Sequence, residues 1–177
     1  MNGYSRIFAA LGIAGAAAVL GAGVAARAET DLPAASVFYP LVGAWKGEGR
    51  IDQPGQGPTE LALRISCVKA SSGWAVRCEM IAKSKDMTMT ETDLFGVDPV
   101  TGQGHWYVVS NQGETHDHLA TWTDAKTMTG THSWAQDGKQ MQEKITVVLP
   151  TGKSMEFRSV TTADGRDAGA FSGKLMR

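Results

Sequence analysis

Apolar and polar residues alternate along two neighbouring stretches of the chain. In Leu61-Ala-Leu-Arg-Ile-Ser-Cys-Val68 the apolar set is Leu61, Leu63, Ile65 and Cys67. In Trp74-Ala-Val-Arg-Cys-Glu-Met80 it is Trp74, Val76, Cys78 and Met80. A period of two is the mark of a strand with one buried face. Short runs of strand character recur to the end of the chain. They cover 45–51, 61–69, 74–82, 88–97, 104–110, 117–123, 128–134, 141–149, 154–162 and 168–175. Turn residues separate them, as in Asp98-Pro-Val-Thr-Gly102, Asn111-Gln-Gly113 and Gln136-Asp-Gly-Lys139. Only Asp31–Pro40 reads as helix, with Asp31 as cap, Pro33 in the first turn and Pro40 as stop.

Connections of two to six residues join antiparallel neighbours, because a parallel crossover needs about a dozen residues or more. About ten hairpin-linked strands with one apolar face must roll up to bury that face and remove their edges. The pattern predicts an all-β, up-and-down antiparallel barrel preceded by a short helix. A two-sheet sandwich is the alternative, and it usually needs longer Greek-key connections.

The first residues belong to a different pattern. Arg6 precedes an uncharged, Ala/Gly-rich stretch from Ile7 to Val24, and Ala26-Arg27-Ala28 places small residues as a signal peptidase requires. Residues 1–28 are therefore read as a cleaved secretory signal and 29–177 as one barrel domain. A membrane anchor is the competing reading. The stretch is near the lower limit for spanning and poor in Leu, Ile and Phe. Export implies a periplasmic or secreted, oxidising location. A turn centred on Ser72-Gly73 sets Cys67 opposite Cys78. In that compartment the pair is expected to form a cross-strand disulfide, against the alternative of two reduced, buried thiols.

Composition narrows the classes. The 177 residues are 42% apolar and 20% charged, with 21 Gly, 5 Trp and a formal net charge of -1. This argues against disorder and removes the electrostatic reason to expect nucleic acid as a partner. Two cysteines are too few for a four-cysteine zinc site or a disulfide framework. Losing Arg6 and Arg27 with the signal makes the remaining chain more acidic.

Gly43-Ala-Trp45-Lys-Gly47-Glu-Gly49 opens the first strand. Gly43 permits a sharp turn after the helix, Trp45 is a large plug, and Gly47 and Gly49 let the strand bend as barrel closure requires. This Gly-x-Trp start before a meander resembles the calycin superfamily, in particular the lipocalin-like bacterial families of unknown function and the nitrobindin-type barrels. Phe95-Gly-Val-Asp98-Pro-Val-Thr-Gly102, followed by Trp106-Tyr107, is similar to the mid-barrel hairpin of that group. The resemblance implies a barrel with an internal cavity for an apolar or amphipathic ligand, and a structural role for Trp45. Nitrobindin-type barrels bind haem through a late histidine. No histidine follows His132 here, so haem is disfavoured and no cofactor is expected.

The candidate chemistry lies in the middle of the chain. Trp106, Tyr107, Trp122 and Trp134, with His132, are candidates to line a ligand cavity or simply to pack the core. Which of them point inward is open, because a slip of one residue between 105 and 134 exchanges the faces. His116 and His118, two apart on one strand, would share a face and could hold a metal with Glu114 or Asp117 nearby. Met87, Met89, Met128 and Met141 are soft-metal candidates, with core filling as the simpler reading. No nucleophile elbow, zincin helix or phosphate loop is present.

The reading that results is an exported, non-catalytic binder of a small apolar or amphipathic molecule, without a stable membrane span once the signal is removed. Three alternatives remain. One is an enzyme using His105, His118 or His132 as a base, which would require that histidine to face the cavity beside a carboxylate. The others are a haem or metal protein and a pocketless interaction module of the cell envelope.

Overall fold

Among the described residues, ten antiparallel strands follow one another with no crossover. They are β1 (Gly43–Asp52), β2 (Thr59–Ala70), β3 (Ala75–Lys83), β4 (Thr88–Val97), β5 (Gly104–Ser110), β6 (Thr115–Trp122), β7 (Thr127–Gln136), β8 (Lys139–Thr151), β9 (Ser154–Ala163) and β10 (Arg166–Met176). Each strand pairs with the next, and β1 pairs with β10, so the sheet closes into a barrel without free edges. The computed structural model describes residues 34–177. The signal reading of 1–28 and the capping roles of Asp31 and Pro33 lie outside the described residues.

Closure depends on the glycines of the first and last strands. Gly47 pairs with Leu175 and Gly49 with Gly173. A Cβ on Gly47 would fall 1.9 Å from the Lys174 carbonyl oxygen, so only glycine lets β1 approach β10 this closely.

A 3-10 helix, Ala34–Leu41, closes one end. Its predicted stop, Pro40, lies inside the last turn, which Val42 N–H closes onto the Tyr39 carbonyl at 3.0 Å. Phe38 packs on Phe95 (centroids 5.4 Å apart), and Phe95 on Trp106 (4.9 Å). Trp45 is buried at the same end, donates to the Leu41 carbonyl at 2.8 Å and carries the Arg177 guanidinium over its ring. Gly43 has φ +146°, a conformation that L side chains rarely adopt, at the step from helix to strand.

The hairpin register is as expected, with Cys67 opposite Cys78 and a disulfide between them. Trp74 differs from expectation. Pairing begins at Ala70–Ala75, and Ser71–Trp74 form a four-residue loop. Trp74 takes a helical backbone (φ -78°, ψ -5°), which breaks the alternation and leaves it 60% exposed. Val76, Cys78 and Met80 keep the inward face.

Candidate functional site

At the helix end the barrel interior is filled. Towards the other end it opens into two connected chambers. The inner one has a volume of about 120 Å³ and an apolar floor formed by Val108, Ile145, Val147, Met155 and Phe157. The outer one, about 570 Å³, is the barrel mouth, bounded by Met87, Met89, Trp134, Met141 and Phe171 among others. Glu91, Glu114, His116, Glu143 and Ser159 line both, so a polar collar sits where the chambers meet. No lysine or arginine lines either chamber among the described residues.

Strand alternation builds the collar. His116 and His118 are two apart on β6 and both face inward, as their spacing predicts. Of the two acids expected nearby, Glu114 lines the collar but is not one of the converging ligand atoms, and Asp117 does not face it. Glu114 is exposed at the rim, and Asp117 faces outward to meet His105 Nδ1 at 3.1 Å. The third member is Glu143 of β8, which sequence reasoning missed. Its Oε2 lies 2.8 Å from His118 Nε2 and 3.3 Å from His116 Nδ1. Ser159 of β9 donates to its other oxygen at 2.5 Å. The donor atoms of His116, His118 and Glu143 all lie within 4.8 Å of one another, an arrangement able to hold a metal ion.

Neighbouring groups fix the rings. His118 is buried, and its Nδ1 meets the Trp106 carbonyl at 3.4 Å. His132 donates from Nδ1 to the Asp117 carbonyl at 3.0 Å and stacks on His116 with centroids 4.7 Å apart. Trp134 stacks on His132 in turn (5.3 Å). Gly130 leaves the space that the Trp106 ring occupies, since a Cβ there would lie 3.0 Å from that ring.

Of the proposed ligand-lining aromatics, Trp106 borders the inner chamber and Trp134 the mouth. Tyr107 does not border either. As the strand neighbour of inward-facing Trp106 it must point out, and it is 45% exposed with its ring stacked on His105. Trp122 packs against the core and lines neither chamber. Met128 is fully buried in the core, whereas Met87, Met89 and Met141 face the mouth. Of the three histidines considered as bases, His118 meets the stated requirement, with a carboxylate beside it in the cavity.

The acids of the collar differ in charge. Burial, together with the charges of Asp93, Glu143 and Glu114, pushes Glu91 up to about 8, so it holds its proton at neutral pH. Burial pushes Asp93 up to about 7, against the hydrogen bond from Trp106 Nε1 (2.8 Å) and the His118 charge, which favour ionisation. Burial acts on Glu143 too, but hydrogen bonds from His118 and Ser159 and the charges of His118 and His116 outweigh it. Its carboxyl lies below the usual range.

No known family profile matches the chain, and no curated protein matches it. Solved structures do. Rv2717c from M. tuberculosis superposes with a TM-score of 0.60 at 17% identity, over 83% of this chain and 99% of that one. The S-type phycobiliprotein lyase CPES from Guillardia theta gives 0.50 at 10% identity, over 78% and 88%. A DUF3598-family protein of unknown function from Nostoc punctiforme gives 0.51 at 13% identity, over 82% of this chain and half of that one. At these identities the likeness is one of fold alone.

Proposed function

We propose that the chain is an exported binding protein for a small amphipathic molecule, held without chemical change. The observation that carries this reading is the junction of an apolar floor with a wide mouth through a polar collar. The apolar part of the ligand would rest on Val108, Ile145, Val147 and Met155. Removing its surface from water supplies roughly 25 cal/mol per Å². The inner chamber takes a group no larger than about a benzene ring, and the rest of the molecule would extend into the mouth. The polar end would meet His116, Glu91 and Glu143.

Two further observations support the reading. The barrel fold is shared with an S-type phycobiliprotein lyase. The Cys67–Cys78 bridge suits an oxidising compartment, in keeping with the signal pattern of residues 1–28. The test is native mass spectrometry of the protein isolated from the cell envelope or medium. The expected result is a chain beginning at Glu29 with a small amphipathic molecule attached, whose return after extraction raises the Tm. A ligand-free chain that no envelope extract stabilises would overturn the proposal.

A further inference from the structure

The collar carries a second specificity that does not depend on an organic ligand. We propose that His116, His118 and Glu143 form a binding site for one divalent metal ion of the zinc class, at the junction of the two chambers.

Hydrogen-bond roles point there first. A backbone carbonyl can only accept, so the contact between His118 Nδ1 and the Trp106 carbonyl puts a proton on Nδ1. In the neutral ring Nε2 then bears a lone pair, and it faces Glu143 Oε2 at 2.8 Å. Two acceptors at that distance require a cation between them, either a proton or a metal. His116 Nδ1 approaches the same oxygen at 3.3 Å, so two imidazoles converge on one carboxylate oxygen. Among the described residues, no lysine or arginine lines the chambers to supply the positive charge.

The spacing suits a small ion. Tetrahedral ligands at zinc bond lengths of 2.0–2.1 Å stand about 3.3 Å apart. The His116–Glu143 contact already has that length, and the His118–Glu143 contact needs to open by about 0.5 Å. Two imidazoles and one carboxylate favour zinc over calcium or magnesium, which take all-oxygen shells. The supporting contacts are also of the kind that orients metal ligands. His118 is held through its other nitrogen by a carbonyl, and Glu143 through its other oxygen by Ser159. His116 and Glu143 border both chambers, so the fourth coordination position would open onto the cavity.

The experiment is equilibrium dialysis of the untagged, disulfide-bonded chain against micromolar zinc, read by elemental analysis. It is repeated with cobalt, whose visible spectrum reports coordination number. The expected result is one zinc per chain and an intense cobalt spectrum of low coordination number. His116→Gln and Glu143→Gln should each weaken zinc binding by at least about tenfold. His105→Gln, on the outer face, should leave it unchanged. Glu143→Gln keeps an acceptor for Ser159, and circular dichroism establishes that each variant is folded. Less than a tenth of an equivalent of zinc on the wild-type chain would overturn the proposal. So would equal binding by the His116 and Glu143 variants, or loss of binding in His105→Gln.

Discussion

Trp106 donates its indole N–H to Asp93 Oδ1 at 2.8 Å, and both side chains are buried in the barrel. Burial holds the carboxyl near 7, well above its ordinary 3.8. Between about pH 4 and pH 7 the folded protein therefore keeps a proton that the unfolded chain releases. Stability falls as pH rises through that window, by up to about 4 kcal/mol for this group. Asn in place of Asp93 still accepts from Trp106 and does not titrate. In urea titrations with chelator present, Asp93→Asn should match the wild type below about pH 4 and exceed it at pH 8. An unchanged loss of stability between the two pH values would contradict the assignment.

The disulfide closes an 11-residue separation between paired strands. Constraint of the unfolded chain by a loop of this size contributes about 3 kcal/mol. Reduction should lower Tm by roughly 6–12 °C for a domain of this length, with far-UV circular dichroism unchanged at 25 °C. A shift below about 2 °C would show that the bridge adds nothing to a hairpin already fixed by its register.

Gly47 sits at the seam. A methyl group there meets backbone of β10, which cannot rotate aside. Gly47→Ala should cost several kcal/mol or prevent soluble folding, an overpacking effect at its upper end. Gly57 has nothing within 4 Å of the added atom, and Gly57→Ala should fold normally. Soluble yield and Tm of the two variants decide the point, and equal behaviour would contradict the account of closure.

These features were not equally legible in the sequence. The strands were, because each is bounded by turn residues within a few positions. The Cys67–Cys78 bridge was too, because hairpin register is a local matter. Trp74 was misplaced because its backbone is helical at the turn, which alternation does not reveal. Tyr107 and Trp106 could not be assigned to faces until the register of β5 was fixed, after which they had to differ. Glu143 was out of reach. It stands 25 residues from His118 and two strands away across β7, so the registers of both the β6–β7 and β7–β8 pairs must be known before the two can be set side by side.

The collar also predicts the charge of the ligand. Without metal, an anionic end would be buried beside ionised Glu143, with no lysine or arginine in the chamber walls among the described residues and the His118 charge already paired with Glu143. For chelator-treated protein, an alkyl alcohol should bind about tenfold or more tightly than the carboxylate of equal length, a gap of about 1.4 kcal/mol. Zinc should narrow that gap by offering the carboxylate a coordination position. Calorimetry on the matched pair, with and without zinc, gives the comparison. Tighter binding of the carboxylate to the metal-free chain would contradict the electrostatic reading.

The central claim is that the interior of the barrel, rather than its surface, receives the ligand. Val108 forms part of the floor of the inner chamber, and Val108→Trp would fill that chamber at a packing cost of about 1–3 kcal/mol. The direct measurement is fluorescence titration of a small apolar dye into delipidated wild-type protein and into folded Val108→Trp. Saturable one-to-one binding to the wild type, with at least tenfold weaker binding to the variant, is the predicted result. Equal binding to both chains, or no saturable binding to the wild type, would contradict it.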